Sequence, residues 1–214
     1  MARPSQNIDQ RLLASGLALL PLTGCRGLSA RKLTDHAGVH LGMFHYHFHS
    51  KENFIRILLE QVYEGMFSEL EIRTRAGESA AHNLRNAVHV IAGFGRTHRQ
   101  LLLRIGADAL AGEAVAAQFL QTNLPRHLDV VARLISEAQR DGDVIAAPLP
   151  QVIGFIAGAV MGPVLLGTAV LEQALLGPAL GELIDNEVLS VAAVEQRIDL
   201  ALRGLTPLKQ GVAE

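Results

Sequence analysis

LSARKLTDHAGVHLGMFHYHFHSKE, residues Leu28 to Glu52, reads as two short helices, a tight turn between them and a fresh helix start. Ser29 stands where a side-chain oxygen can cap the first helix, and Leu33 and Ala37 lie four residues apart on one face, as a 3.6-residue period requires. Gly38 follows the last periodic position and can take the left-handed conformation of a sharp stop, with Val39 as the apolar plug beneath it. The second helix spans His40 to Phe48, with Phe44 and Phe48 inward and the opposite face left free. Ser50-Lys51-Glu52 is the cap and first turn of a long third helix. This is the layout of a helix-turn-helix DNA reader.

At these residues the chain resembles the tetracycline-repressor (TetR-like) family of bacterial one-component regulators. Its signature is matched by Ala37-Gly38-Val39, Gly42, the aromatic-rich Phe44 to His47, Phe48 and Ser50-Lys51-Glu52. The likeness covers about the first quarter of the chain at residue level; beyond it, length and a helical pattern agree. The reading surface departs from the pattern. His45 stands where family members usually carry a tyrosine that touches the DNA backbone, Met43 replaces a small polar residue, and His40 replaces a capping serine. The scaffold is kept while the surface is altered, so an operator cannot be carried over from the family.

The resemblance implies a dimer whose two readers enter successive major grooves of a roughly palindromic operator. His40, Leu41, Gly42 and Met43, at the exposed start of the second helix, are candidates for base edges or close backbone approach. Leu41 and Met43 suit a thymine methyl. Ser29, Lys32, His45, Tyr46 and Lys51 are placed for phosphate, Lys51 also at a helix N-terminus that favours an anion. Tyr46 has a plain alternative, packing against the third helix.

Composition sets the rest. The 214 residues are 49% hydrophobic with a net charge of -2, enough apolar material for a compact reader and a larger helical domain, and no general basic coat. The charge is uneven: through residue 60, Arg3, Arg11, Arg26, Arg31, Lys32, Lys51 and Arg56 outnumber Asp9, Asp35, Glu52 and Glu60. Five of the nine histidines, His36, His40, His45, His47 and His49, lie at that end, and any that protonate add to phosphate attraction. Cys25 has no intrachain partner, which points to a reducing cytoplasm and to a small semi-buried residue rather than a redox sensor. The apolar run near the start abuts Asp9 and Arg11 and reads as an opening helix packing Leu13, Leu17 and Leu20, ended or bent at Pro21, rather than as a leader.

Helical periodicity continues from Lys51 to about Arg75, with a break over Ala76-Gly77-Glu78-Ser79. Further helices are expected over 80–94, 98–110 and about 113–140, the last bent or split at Pro125. Asp141-Gly142-Asp143 is a stop, and Pro148 and Pro150 open the next helix. Residues 175–189, punctuated by Gly177, Pro178 and Gly181, read as a loop with a short helical piece, and a final helix covers 191–205.

Residues 152–171 carry no charge over a length that would cross a bilayer, with Gly154, Gly158 and Gly162 at every fourth position. A membrane-attached helical protein is therefore an alternative. Poor Lys/Arg flanks and the absence of Trp argue instead for a helix buried on two sides, against its own domain and a second subunit. The resemblance implies a four-helix dimer interface, which falls on helices near 150–174 and 191–205. His45, His47 and His49 could suggest a metal-dependent enzyme, but on a helix His45 and His49 share a face and His47 points away. No catalytic set, cofactor or metal site is expected.

The expected fold is all-α, with a three-helix helix-turn-helix domain over 1–53 and a larger helical effector-binding and dimerisation domain over 54–214. The expected function is a ligand-responsive dimeric transcriptional regulator, a repressor, in the cytoplasm and not on a membrane. Partly by resemblance, an apolar effector pocket is expected in the larger domain, with His89, Arg104, Asp108, Asn123 and His127 as its candidate polar residues.

Overall fold

A computed structural model describes residues 6–74 and 78–207. Among the described residues the chain forms ten helices: α1 (Gln6–Gly27), α2 (Ala30–Ala37), α3 (Leu41–Phe48), α4 (Lys51–Arg73), α5 (Ala80–Thr97), α6 (Arg99–Leu110), α7 (Ala114–Arg140), α8 (Leu149–Glu172), α9 (Pro178–Glu187) and α10 (Val191–Gly204). The all-helical expectation holds. Of the expected break after α4, Ala76 and Gly77 lie outside the described residues; Ser79 accepts a hydrogen bond from His82 N–H and caps α5.

Three local readings are corrected. Leu17 is 42% exposed; the inward face of α1 runs instead through Leu12, Ser15 and Leu20. Pro21 sits inside α1, and the break comes three residues later at Gly24, with φ 66° and ψ 176°. A proline near a helix end forfeits one bond, whereas a positive φ ends the geometry outright. Residues 178–187 form α9, a ten-residue helix with Pro178 in its first turn and no buried residue. Pro125 lies within α7.

The chain divides into two compact units, one of residues 1–65 with 100–124 and the other of 66–99 with 125–214. This differs from a cut after residue 53. In the first unit Leu12, Leu20, Cys25, Leu28, Leu33, Phe44, Phe48, Phe54 and Leu58 share one core with Leu101, Ile105 and Ala116, so α6 and the start of α7 are part of what holds the reader. Sequence alone gave no sign of this, because the partners are separated by roughly 40 to 100 residues of chain.

In the second unit α8 packs on α10 and α5, and α9 on α8. Val152, Ile156, Val160 and Val164 form the buried stripe of α8, at the spacing of one helical face. The other face carries Gly154, Phe155, Gly158, Gly162 and Leu166, all exposed. By length and composition α8 could cross a bilayer, at a mean hydropathy of 2.0, yet a third of that window is buried within the chain.

Candidate nucleic-acid interface

Helices α2 and α3 have eight residues each, too few to persist alone in water. Their existence depends on caps and on the core beneath them. Ser29 is the N-cap of α2, its Oγ accepting from Lys32 N–H at 3.2 Å. Gly38 closes it in the left-handed region at φ 62°, ψ 43°. Gly38 N–H reaches Asp35 O at 3.3 Å and Val39 N–H reaches Thr34 O at 3.0 Å, satisfying carbonyls that a helix end leaves open. The expected turn is present residue for residue.

Arg11 adds a contact the sequence did not announce: its guanidinium donates from α1 to the carbonyls of Ala37 and Gly38. His36 Nδ1 also meets Ser15 Oγ at 3.0 Å. Both tie the turn to α1.

Helix α3 rests on a cluster of three rings. Phe44 and Phe48 are buried and lie 5.5 Å and 4.8 Å, centroid to centroid, from Phe54 of α4. Burial stabilises each by about 1.5–3 kcal/mol, and each ring pair adds about 1 kcal/mol. That exceeds anything an eight-residue helix provides on its own. The N-cap His40 makes no side-chain cap bond, as its imidazole in a serine position leads one to expect.

The outward side of α3 presents His40, Leu41, Gly42, His45 and Tyr46, all exposed, while Met43 is half-buried. Tyr46 is 71% exposed, its ring in a T-shaped contact with that of His47 at 5.1 Å; the packing alternative for Tyr46 is set aside. Histidines 45, 47 and 49 do not converge: His45 Nδ1 meets the His49 carbonyl at 3.2 Å, and His47 Nε2 is buried without a partner. No group of three His, Cys, Asp or Glu among the described residues is placed to hold a metal.

Around the foot of α2 the cations gather. Lys32 Nζ donates to Gly27 O at 2.9 Å and Lys51 Nζ to Cys25 O at 3.1 Å, so ammonium groups from two helices sit on carbonyls two residues apart. Lys51 also lies 4.0 Å from Glu52. Ser50 caps α4 as expected, its Oγ accepting from Asn53 N–H at 3.1 Å. Two helix N-termini and two lysines thus border the same turn, an arrangement suited to a phosphate chain.

The turn itself is held from α6 and the loop that follows it. Asp108 Oδ2 accepts from Cys25 N–H at 2.7 Å, Arg104 Nε donates to Pro21 O at 3.4 Å, and Arg26 pairs with Glu113 at 3.2 Å. Burial, followed by the Asp108 carboxylate, pushes the Cys25 thiol up to about 12. The candidate effector residues fall in both units. Arg104, Asp108 and Asn123 belong to the first unit and His89 and His127 to the second. Arg104 and Asp108 hold the α1 end, and the Asn123 carbonyl accepts from Tyr63 Oη at 2.7 Å.

No family model matches the chain. It is 32% identical over 205 residues, 91% of its length and 88% of theirs, to the tetracycline repressor protein class A from transposon 1721 of Escherichia coli. It is 23% identical over 157 residues, 72% of the chain, to the Bacillus subtilis protein named "Probable HTH-type transcriptional regulator YttP", of which it covers 76%. Among solved structures, the transcriptional regulator FadR of Bacillus subtilis, in complex with stearoyl-CoA, superposes with a TM-score of 0.65 at 15% identity, covering 92% of this chain and 98% of that one.

Proposed function

The chain belongs to the tetracycline-repressor family of helix-turn-helix transcriptional regulators, and from that premise we propose that it is a dimeric, ligand-responsive repressor acting in the cytoplasm. The observation that carries the reading is the two-sidedness of α3. Phe44 and Phe48 are locked into the core while His40, Leu41, Gly42, His45 and Tyr46 are free of it. In the proposed complex α3 lies in the major groove. His40, Leu41, Gly42 and Met43 approach base edges, and Ser29, Lys32, His45, Tyr46 and Lys51 take phosphates.

The proposed dimer contact lies on the outward faces of α8 and α10, a reading supported by the exposed Gly154, Phe155, Gly158, Gly162 and Leu166 of α8. A β-carbon built at Gly154, Gly158 or Gly162 meets nothing within 4 Å, so the subunit's own packing does not require these glycines. Close approach of a second chain would give them a use. That division of α8 also argues against the membrane alternative, which gives its buried stripe no role. The effector domain is proposed over residues 54–214, the reader over 1–53, and an apolar effector fits both the composition and the stearoyl-CoA bound by FadR. His89 and His127 remain the polar candidates for that pocket; Arg104, Asp108 and Asn123 would have to serve it besides their present contacts.

The test is retardation of the intergenic DNA preceding the chain's own coding sequence, at low salt and with random duplex as competitor. A folded protein that gives no specific shift removes the proposal. Small molecules that raise the melting temperature are then assayed for release of that DNA, since only a ligand that distinguishes the two states induces.

A further inference from the structure

We propose that His49 is a positioning residue for His45, and that the His45 contact with the DNA backbone therefore forms only with the protonated imidazole. The inference rests on the reading of α3 as the DNA-facing helix.

The chain leaves α3 through an uncommon turn. His49 has φ 63° and ψ -58°, and Ser50 N–H donates back to Phe48 O at 2.7 Å. This is a three-residue turn of the strained hand, which a side chain with a β-carbon seldom adopts. Among the described residues His49 and Ala174 are the non-glycine positions with positive φ. The turn is pinned on both sides. Phe48 is buried in the ring cluster and its carbonyl also accepts from Asn53 Nδ2 at 2.9 Å. Ser50 is committed to capping α4. His49 N–H donates to His45 O at 3.1 Å.

With its neighbours fixed, the His49 carbonyl is turned back onto the His45 ring, 3.2 Å from Nδ1. A carbonyl oxygen only accepts, so Nδ1 carries the hydrogen. In the neutral ring Nε2 is then a bare lone pair. His45 is exposed, and Nε2, on the ring edge away from the carbonyl, is the nitrogen left for DNA. A phosphate oxygen facing that lone pair meets acceptor with acceptor. Only the imidazolium places an N–H there, and it adds a charge.

No other group interferes. The acidic residues on the helices bordering α3 are Asp9 of α1, Asp35 of α2, and Glu52, Glu60, Glu64, Glu69 and Glu71 of α4, with Glu52 beside Lys51, Glu60 paired with Arg56 and Glu69 with Arg73. The basic ones are Arg11 and Arg26 of α1, Arg31, Lys32 and His36 of α2, and Lys51, Arg56 and Arg73 of α4, with His40, His47 and His49 on or beside α3 itself. None of them hydrogen-bonds or ion-pairs with the His45 ring, whose near neighbour besides the His49 carbonyl is the edge-on Phe44 ring at 5.5 Å. A tyrosine in the same place would donate at any pH below its own ionisation; histidine makes the contact conditional.

The test has two arms on the full chain. Nitrogen NMR of the free protein at pH 8 reads the tautomer of His45 directly, and Nδ1–H is expected. In the second arm, affinity for a random-sequence duplex is measured from pH 8 to pH 6. Wild type should tighten severalfold per reader as the pH falls. His45→Phe should bind more weakly at pH 6 and lose that part of the slope. His45→Tyr should restore affinity at pH 8 with a flatter profile. His49→Gly, which takes the same positive φ without strain while Phe48 and Ser50 stay pinned, should keep the Nδ1–H tautomer and the slope without lowering the melting temperature. An Nε2–H tautomer at pH 8, or an unchanged slope in His45→Phe, overturns the proposal. Binding to no duplex at any pH sinks the DNA reading, and this inference with it; binding with an unaltered slope sinks this inference alone.

Discussion

The carboxylate of Asp108, on α6, accepts the backbone N–H of Cys25 at the end of α1, 2.7 Å away and 83 residues distant in sequence. One side chain thus reaches across the first compact unit to fix where α1 ends. It also stands guard over a thiol, and that leads to the first expectation.

Cys25 is buried, and burial with the Asp108 carboxylate raises its thiol to about 12. Since only the thiolate reacts, alkylation of the native chain by iodoacetamide at pH 7.5 should be slower than that of free cysteine by about a thousandfold or more. Asp108→Asn should speed it in the folded protein. Labelling of native wild type at the free-cysteine rate would contradict the burial.

Gly38→Val should destabilise the first unit by about 1–2 kcal/mol, because a β-branched residue resists the left-handed region. A built β-carbon also comes within 3.3 Å of Arg11 Nη2. Denaturant unfolding measures the loss. A variant as stable as wild type would mean that the turn adopts another conformation.

Lys51→Ala should weaken binding on all duplexes alike and reduce the salt slope by about one unit. Met43→Ala should instead relax preference at one operator position. Titrations on operator and random DNA at two salt concentrations separate the two. Equal losses for Met43→Ala would take that side chain off the base edges.

Gly158→Glu should leave the helical signal unchanged, since nothing lies within 4 Å of a β-carbon there, while placing a charge on the proposed subunit contact. Sedimentation should then report one chain where wild type reports two. A dimer that persists would move the interface elsewhere.

His98 is half-buried at the end of α5, its ring 4.7 Å from that of Phe94, and burial lowers its pKa from the usual 6.5. The unfolded chain therefore takes up the proton before the folded one does. Stability rises with pH through this window and falls as pH drops below about 6.5. His98→Gln should lessen the fall of melting temperature between pH 7 and pH 5. An identical profile would exonerate His98.

Much of the reader was legible in the sequence because its signals are local. Ser29, Gly38 and Ser50 are caps acting within four residues, and the spacing of Phe44 and Phe48 is one helical turn. The positions that sequence misassigned depend on distant partners. Leu17 has the right period for the core but faces outward, because the inward face is set by what α1 packs on. The contacts of Arg104 with Pro21 and of Asp108 with Cys25 likewise lie about 83 residues away in sequence, where their apolar neighbours give no hint of them. The His49 turn carried no glycine or asparagine to announce it. Residues 178–187 were obscured by two glycines and a proline, though that proline stands in the first turn of α9, where its missing N–H costs no bond.

Because three phenylalanines hold α3 from beneath, the side chains that keep it folded and those offered to a base pair are different sets on one eight-residue segment. Leu41, Gly42, His45 and Tyr46 can be exchanged one at a time without opening a void below. A lineage carrying this scaffold is thus able to drift from one operator to another through stable intermediates, and a selection experiment randomising those four positions should return mostly soluble, folded readers with diverse targets.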